Sequence, residues 1–264
     1  MTQAELAACL DFARGLALTA GAAILPHFRT ALDIENKGDA RDYDPVTAAD
    51  RDAERVIRDA ITRRFPAHRI RGEESGVSGG DSPLVWVVDP IDGTRSFVLG
   101  QLHWGTLIAL NDGVRPALGV MHQPFVGETF SARAGREARW QRGREERVLR
   151  TRRCKRLSDA MLACTAPEMF AREREREAFE RVRARVRLTR FGSDCYGYCL
   201  LAMGLVDVVV EADLQAYDVQ ALIPIVEGAG GVITRWDGSP CDEGGEVLAC
   251  GDSALHEEVL RLLA

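Results

Sequence analysis

Apolar positions set the first expectations. Behind the capping box Thr2-Gln3-Ala4-Glu5, Leu6, Leu10, Ala13, Leu16, Ala17, Ala20 and Ile24 recur at helical spacing. A long first helix ending near Pro26 is expected. Residues 30–45 are polar and irregular, and Val46-Thr47 then opens a second helix with Ala53, Val56, Ile57, Ala60 and Ile61 on one face. Asp50 falls on that inward stripe, so its carboxylate must be satisfied, by a Thr47-x-x-Asp50 cap, by a functional partner or by both. Trp104–Asn111 and Val114–Met121 read as strands around the hairpin signal Asp112-Gly113, and residues 128–133 and 137–140 continue an antiparallel meander. Residues 171–185 form a charged amphipathic helix. From Val186 the period alternates between strand (186–191, 206–211, 231–235, 247–250) and helix (195–203, 218–228, 253–263). This order predicts an α/β (α+β) chain in two halves. Residues 1–150 form an α+β unit with an antiparallel sheet, residues 151–264 an α/β unit, and the change falls near 145–157.

One stretch stands out, Leu84 to Thr94. Leu84-Val85-Trp86-Val87-Val88 reads as a short buried strand that stops at Asp89-Pro90-Ile91-Asp92-Gly93-Thr94. Two carboxylates three residues apart thus sit at the end of a rigid element, in a turn stiffened by Pro90 and relaxed by Gly93. Such a turn suits a cation held beside a phosphate; it also suits an ordinary turn in which Asp92 caps a short helix. The Asp-x-Asp-Gly-Thr nucleophile motif of haloacid dehalogenase phosphatases has a spacing of two, so its geometry does not apply. Upstream, Glu73 and Glu74 precede a Gly/Ser-rich loop and read either as solvated or as ligands. Downstream, Asp218 is placed to cap the apolar helix over 218–228, with its carboxylate towards the interior or a cleft.

Composition narrows the class. A chain of 264 residues, 46% hydrophobic, can bury a proper core, and a net charge of −6 argues against nucleic-acid binding through bulk charge. Residues 133–156 are Arg-rich but interspersed with Glu, which reads as a solvated hairpin face. The N-terminus lacks a basic n-region, and the longest uninterrupted apolar run, 195–206, is too short to span a bilayer, so neither a signal peptide nor a membrane partner is expected. Seven scattered cysteines without a CxxC suit a reduced, cytoplasmic protein. Cys195 and Cys199, one turn apart, are read as core packing or as metal ligands.

Taken together, Val46-Thr-Ala-Ala-Asp50, Gly72-Glu-Glu74, Trp86-Val-Val-Asp-Pro-Ile-Asp-Gly-Thr94 and Ala216-Tyr-Asp-Val219 resemble the inositol monophosphatase-like family of metal-dependent phosphomonoesterases across nearly the whole chain. The resemblance implies a five-layered α/β/α/β/α sandwich of the inositol monophosphatase/fructose-bisphosphatase type, a homodimer, with the site between the halves. It implies that Glu73, Asp89 and the Ile91 carbonyl hold a first Mg²⁺, that Asp89, Asp92 and Asp218 hold a second, and that Glu73 serves a third through water. Gly93 and Thr94 would cradle phosphate, and Asp50 and Thr94 would orient the attacking water. Lys37 matches the family lysine, with two extra residues between it and Asp50, and Glu74 adjoins the ligand set. The chemistry agrees: oxygen ligands without His or Cys select Mg²⁺ or Mn²⁺, and no nucleophilic side chain or phosphoenzyme is required.

Within the family, residues 102–113, 121–125 and 187–232 are similar to histidinol-phosphatases. Ser193-Asp194 brings an acid to a loop that is small and neutral in inositol phosphatases, and Glu211 aligns with the substrate-contacting Glu. Two carboxylates near the leaving group favour an alcohol carrying an ammonium, such as histidinol, although Asp194 also reads as an N-cap. His103 and Trp104 could flank an imidazole, or Trp104 could fill the core. The small-molecule phosphate ester is therefore expected to be L-histidinol phosphate. Inositol or sugar monophosphates are the alternative, and a non-catalytic role as a partner in a transcription complex is the alternative of another class.

Overall fold

The computed structural model describes residues 1–32, 34–37 and 45–264. Helix α1 (Gln3–Ile24) starts at the expected box, Thr2 and Glu5 bonding reciprocally, and ends in a tight turn at Pro26. Strands β1 (Ile34–Asn36) and β2 (Pro45–Thr47) form a small antiparallel ribbon in the stretch expected to be irregular. Helix α2 (Ala48–Arg64) buries Ala49, Ala53, Ile57 and Ile61 along one face.

Strands β3 (Arg69–Gly72), β4 (Gly76–Gly79), β5 (Val85–Asp92), β6 (Gly105–Asn111), β7 (Pro116–Gln123), β8 (Glu128–Arg133), β9 (Arg139–Arg142) and β10 (Glu145–Val148) form one sheet of order β10-β9-β8-β7-β6-β5-β3-β4, with the short helix α3 (Thr94–Val98) following β5. The sheet is antiparallel except for the β3–β5 pair. Strand β5 does not stop before Asp89 as expected. It runs to Asp92, with its pairing to β6 shifted between Asp89 and Asp92. Pro90 cannot donate to the ladder, so the strand continues only by slipping register there.

The second sheet collects β11 (Met161–Cys164), β12 (Leu188–Phe191), β13 (Val208–Leu214), β14 (Val232–Arg235) and β15 (Gly245–Cys250) in the order β12-β11-β13-β15-β14. Its helices are α4 (Glu173–Arg183), α5 (Asp194–Ala202), α6 (Ala216–Val219), α7 (Leu222–Gly228) and α8 (Ser253–Leu263). The helix expected over 218–228 is divided into α6 and α7. Pro224 explains the break: it has no N–H to offer, and its ring would clash with the Gln220 carbonyl of a continuous helix, whereas it fits the first turn of α7.

The layers follow from what each face buries. Helices α1 and α2 cover one side of the large sheet, with Leu6, Leu10, Ile57, Ile61 and Trp86 in the seam. Helices α5 and α7 fill the space between the two sheets, with Phe130, Tyr198, Leu222 and Val247 among the buried groups. Helices α4 and α8 close the far side of the second sheet over Phe170, Phe179 and Trp236. The result is the α/β/α/β/α sandwich. Segment Gln3–His27 is, among the described residues, the one helical stretch long and apolar enough to cross a bilayer; here it lies against α2 and β6–β8. All seven cysteines are buried and free, Cys195 and Cys199 within the central core.

Candidate active site

Three carboxylates converge where the central helix layer meets the end of β5. Oxygen atoms of Asp89, Asp92 and Asp218 all lie within 4.8 Å of one another. Strand β5 supplies the first two. Asp218 comes from α6, where its side chain also accepts the Gln215 N–H at 2.6 Å. It is thus the third helical residue of a capping box whose cap is Gln215, not the cap expected from the sequence. Asp89 is buried, and its Oδ1 has no hydrogen-bond partner among the described residues. Burial first, then repulsion from neighbouring carboxylates, raises all three acids: Asp89 and Asp218 stand well above the usual carboxylate range, and Asp92, which faces Asp194, is pushed to about 8. Acids so placed are stable as neutral groups or around a cation. The all-oxygen donor set and the partnerless Asp89 Oδ1 fit a hard divalent ion.

Glu73 and Glu74 are not solvated; their side chains are 15% and 6% exposed, and Lys37 Nζ bonds both, at 3.0 and 2.8 Å. The expected lysine therefore reaches the site despite its unusual spacing. Burial opposes its charge, but Glu74 and Glu73 outweigh that and raise its pKa. Burial also raises Glu73, and takes Glu74 to about 7. A residue without any signature in the sequence holds this loop: buried Glu54 of α2 accepts the backbone N–H groups of Glu74 (2.8 Å) and Ser75 (2.9 Å) and pairs with Arg58 at 2.7 Å.

Asp50 performs the expected capping. Its Oδ2 accepts from Thr47 N–H (2.8 Å) and Thr47 Oγ1 (2.6 Å), while buried Oδ1 is left without a partner among the described residues. Thr94 Oγ1 donates to the Ile91 carbonyl at 3.0 Å. Between them Gly93 holds φ +81°, and a Cβ there would meet Asp194 Cγ at 3.0 Å and the Trp104 backbone at 3.2 Å. Gly93→Ala is therefore expected to cost about 1–3 kcal/mol, from the left-handed φ and the crowding together. Urea unfolding measures this, and a loss under about 0.5 kcal/mol would contradict it.

The turn before α5 approaches from the other side. Asp194 is the first helical residue, at φ +42°, and is not the N-cap; that position is Ser193, which makes no side-chain cap. The Asp194 carboxylate accepts from Ser96 Oγ at 2.6 Å, and Cys195 N–H donates to Asp92 Oδ2 at 2.8 Å. Ser193 Oγ is buried without a partner among the described residues. Glu211 is 2% exposed, and both its oxygens are occupied, by Thr165 and Tyr198. Burial takes it to about 7. Trp104 is a core residue, packed on Phe28 and Phe97; His103 lies beside Tyr196, ring centres 6.3 Å apart. Ser96, Thr165 and Tyr198 were not legible as site residues, because ordinary hydroxyls have no spacing signature.

Comparison with known proteins agrees with this picture. The model of the inositol monophosphatase family matches residues 5–264. A bifunctional phosphatase IMPL2 from Arabidopsis thaliana chloroplasts is 39% identical over 274 residues, covering 100% of this chain and 77% of its own length. A histidinol-phosphatase of Chlorobaculum parvum is 34% identical, covering 95% of both chains. The solved structure of an inositol monophosphatase from Zymomonas mobilis superposes with a TM-score of 0.87 at 38% identity, over 100% of this chain and 99% of that one. The fold and the acid cluster thus define a phosphatase, a phosphoric monoester hydrolase of a metal-using kind. More narrowly, the chain belongs to the inositol monophosphatase family, and the resemblance and sandwich fold expected from the sequence are borne out.

Proposed function

We propose that this protein is a Mg²⁺-dependent histidinol-phosphatase that converts L-histidinol phosphate and water to L-histidinol and phosphate, in histidine biosynthesis. The observation that carries this reading is Asp194. It adds a carboxylate, tied to Ser96, directly beside the Gly93 turn where the ester would sit. A fixed acid there favours an ammonium-bearing leaving group over a neutral polyol. The similarity to the Chlorobaculum parvum enzyme supports it.

Glu73, Asp89 and the Ile91 carbonyl would hold one ion, and Asp89, Asp92 and Asp218 a second, with Glu73 within reach of a third. Bound Mg²⁺, or Mn²⁺ in its place, supplies charge that offsets the carboxylate repulsion and makes water a stronger nucleophile at neutral pH. Around it the chain's own groups position the reactants. Gly93, between β5 and α3, is an N-cap without a side chain, which leaves N–H groups of the first turn of α3 for a phosphate oxygen. Asp50 Oδ2 is held by Thr47, and its Oδ1, without a partner among the described residues, would accept from the attacking water; Thr94 would orient the same water. Lys37 would hold Glu73 in its ligating position. No side chain is needed as nucleophile. The reading includes a cytoplasmic homodimer of two halves divided near residue 150; seven free thiols suit a reducing compartment.

A second reading, an inositol-1-monophosphatase, is favoured by the Zymomonas mobilis structure. Assays of both esters with Mg²⁺ separate them. We expect kcat/KM for histidinol phosphate to exceed that for inositol-1-phosphate by about tenfold or more, the scale of one charge-assisted contact. A tenfold preference the other way would reverse the assignment. Capture of RNA polymerase by a protein inactive on both esters would instead favour a transcription partner.

A further inference from the structure

We propose that Ser96 and Thr165 are positioning residues that hold Asp194 in place as the selector of a cationic leaving group. The proposal rests on the reading above, and it adds how the selecting acid is kept aimed. Asp194 is in the left-handed region, φ +42°, which is disfavoured for a non-glycine residue and is held here by specific partners. Two hydroxyls do so, from opposite halves of the molecule. Ser96, in α3, donates to Asp194 Oδ2 at 2.6 Å. Thr165, immediately after β11, accepts the Asp194 N–H at 3.1 Å.

The direction of the Thr165 hydroxyl is itself set. It donates to Glu211 Oε1 at 2.5 Å, and the Thr165 N–H donates to the same oxygen at 3.0 Å. Glu211 Oε2 accepts from Tyr198 at 2.9 Å. With its proton committed to Glu211, the hydroxyl offers only lone pairs, which is what the Asp194 N–H requires. Both Glu211 oxygens are taken up by Thr165 and Tyr198, and Glu211 acts on Asp194 through the Thr165 hydroxyl. The next residue completes the tie, Cys195 N–H bonding Asp92 Oδ2 at 2.8 Å. The turn that selects the alcohol is thereby fastened to the segment that faces the phosphate at two successive residues, Asp194 to Ser96 and Cys195 to Asp92.

The test compares kcat/KM for histidinol phosphate with that for inositol-1-phosphate in the wild type, Asp194→Asn, Ser96→Ala, Thr165→Val and Thr165→Ser. The ratio is expected to fall about tenfold in the first three variants, and Thr165→Ser, which keeps the hydroxyl, is expected to restore it. A general structural defect would lower both esters alike and leave the ratio unchanged, which counts against positioning. If Asp194→Asn flattens the ratio while Ser96→Ala and Thr165→Val keep it, the positioning roles fall and the assigned substrate stands. If the wild type shows no preference for the cationic ester, the assigned substrate falls and the selector role with it. A crystal structure of Thr165→Val gives a readout independent of activity: Asp194 is expected to leave its left-handed conformation, and an unmoved Asp194 would refute the role of Thr165.

Discussion

Asp89→Asn is expected to lower kcat/KM by about 10²–10³-fold, the scale of deleting one preorganised charge at a reacting centre. In the proposed reading Asp89 would be shared by both ions, and its Oδ1 has no hydrogen-bond partner among the described residues. Asparagine keeps the volume, so the buried strand end should tolerate it. It replaces one anionic oxygen by an amide nitrogen that donates towards neighbours which are themselves acids. Steady-state assays on any accepted ester, beside a thermal melt showing that the variant folds, are sufficient. A variant with wild-type turnover would remove Asp89 from the chemistry.

The second large effect is a coupling between pH, divalent ion and stability. Asp92, Glu74 and Glu211 are raised to about 8, 7 and 7, and Asp89 and Asp218 well above the ordinary range, in every case chiefly by burial. A carboxyl with a raised folded pKa holds its proton more tightly in the native chain than in the unfolded one. Its contribution is complete below the unfolded pKa near 4 and is lost as pH rises through the folded value. Ion-free protein should therefore lose stability between about pH 4 and pH 8 through these groups. A bound cation replaces the lost protons, so its stabilisation should grow over the same window. Melts in EDTA and in excess Mg²⁺ are expected to show a gain in Tm at pH 8 larger by about 5 °C than at pH 5, corresponding to about 2 kcal/mol in a chain of this size. An equal gain at both pH values would show that the cluster does not exchange protons for the ion.

Much of this was legible because it is local or periodic. Trp86 to Thr94 combines a strand pattern with a turn of fixed residue types, and Thr47 with Asp50 is a cap readable at a spacing of three. The inward stripe of α2 and the apolar face of α1 follow from periodicity alone. Other features escaped for reasons of physics. The extension of β5 to Asp92 depends on pairing with β6, which lies outside any window containing Pro90. The break between α6 and α7 was available in principle, since Pro224 excludes the Gln220 carbonyl, but the strong apolar run around it masked that signal. Glu54, Ser96 and Thr165 act at sequence separations of 20, 98 and 46 residues. Nothing in their own neighbourhoods marks them, because each is defined by the group it meets and not by the groups beside it.

Helix α2 carries a lasting constraint. From its cap Thr47, Asp50, Glu54 and Arg58 follow one another along it, while Ala49, Ala53, Ile57 and Ile61 bind it to the layers below. A single inserted residue would turn everything beyond it by about 100°. Placed between Asp50 and Glu54, it would swing the brace of the Glu73–Glu74 loop away from its backbone amides and uncouple the two ends of the rod. This segment should therefore drift by substitution but never by change of length, in contrast to exposed hairpin tips such as that at Gly143, where an added Cβ would meet nothing within 4 Å.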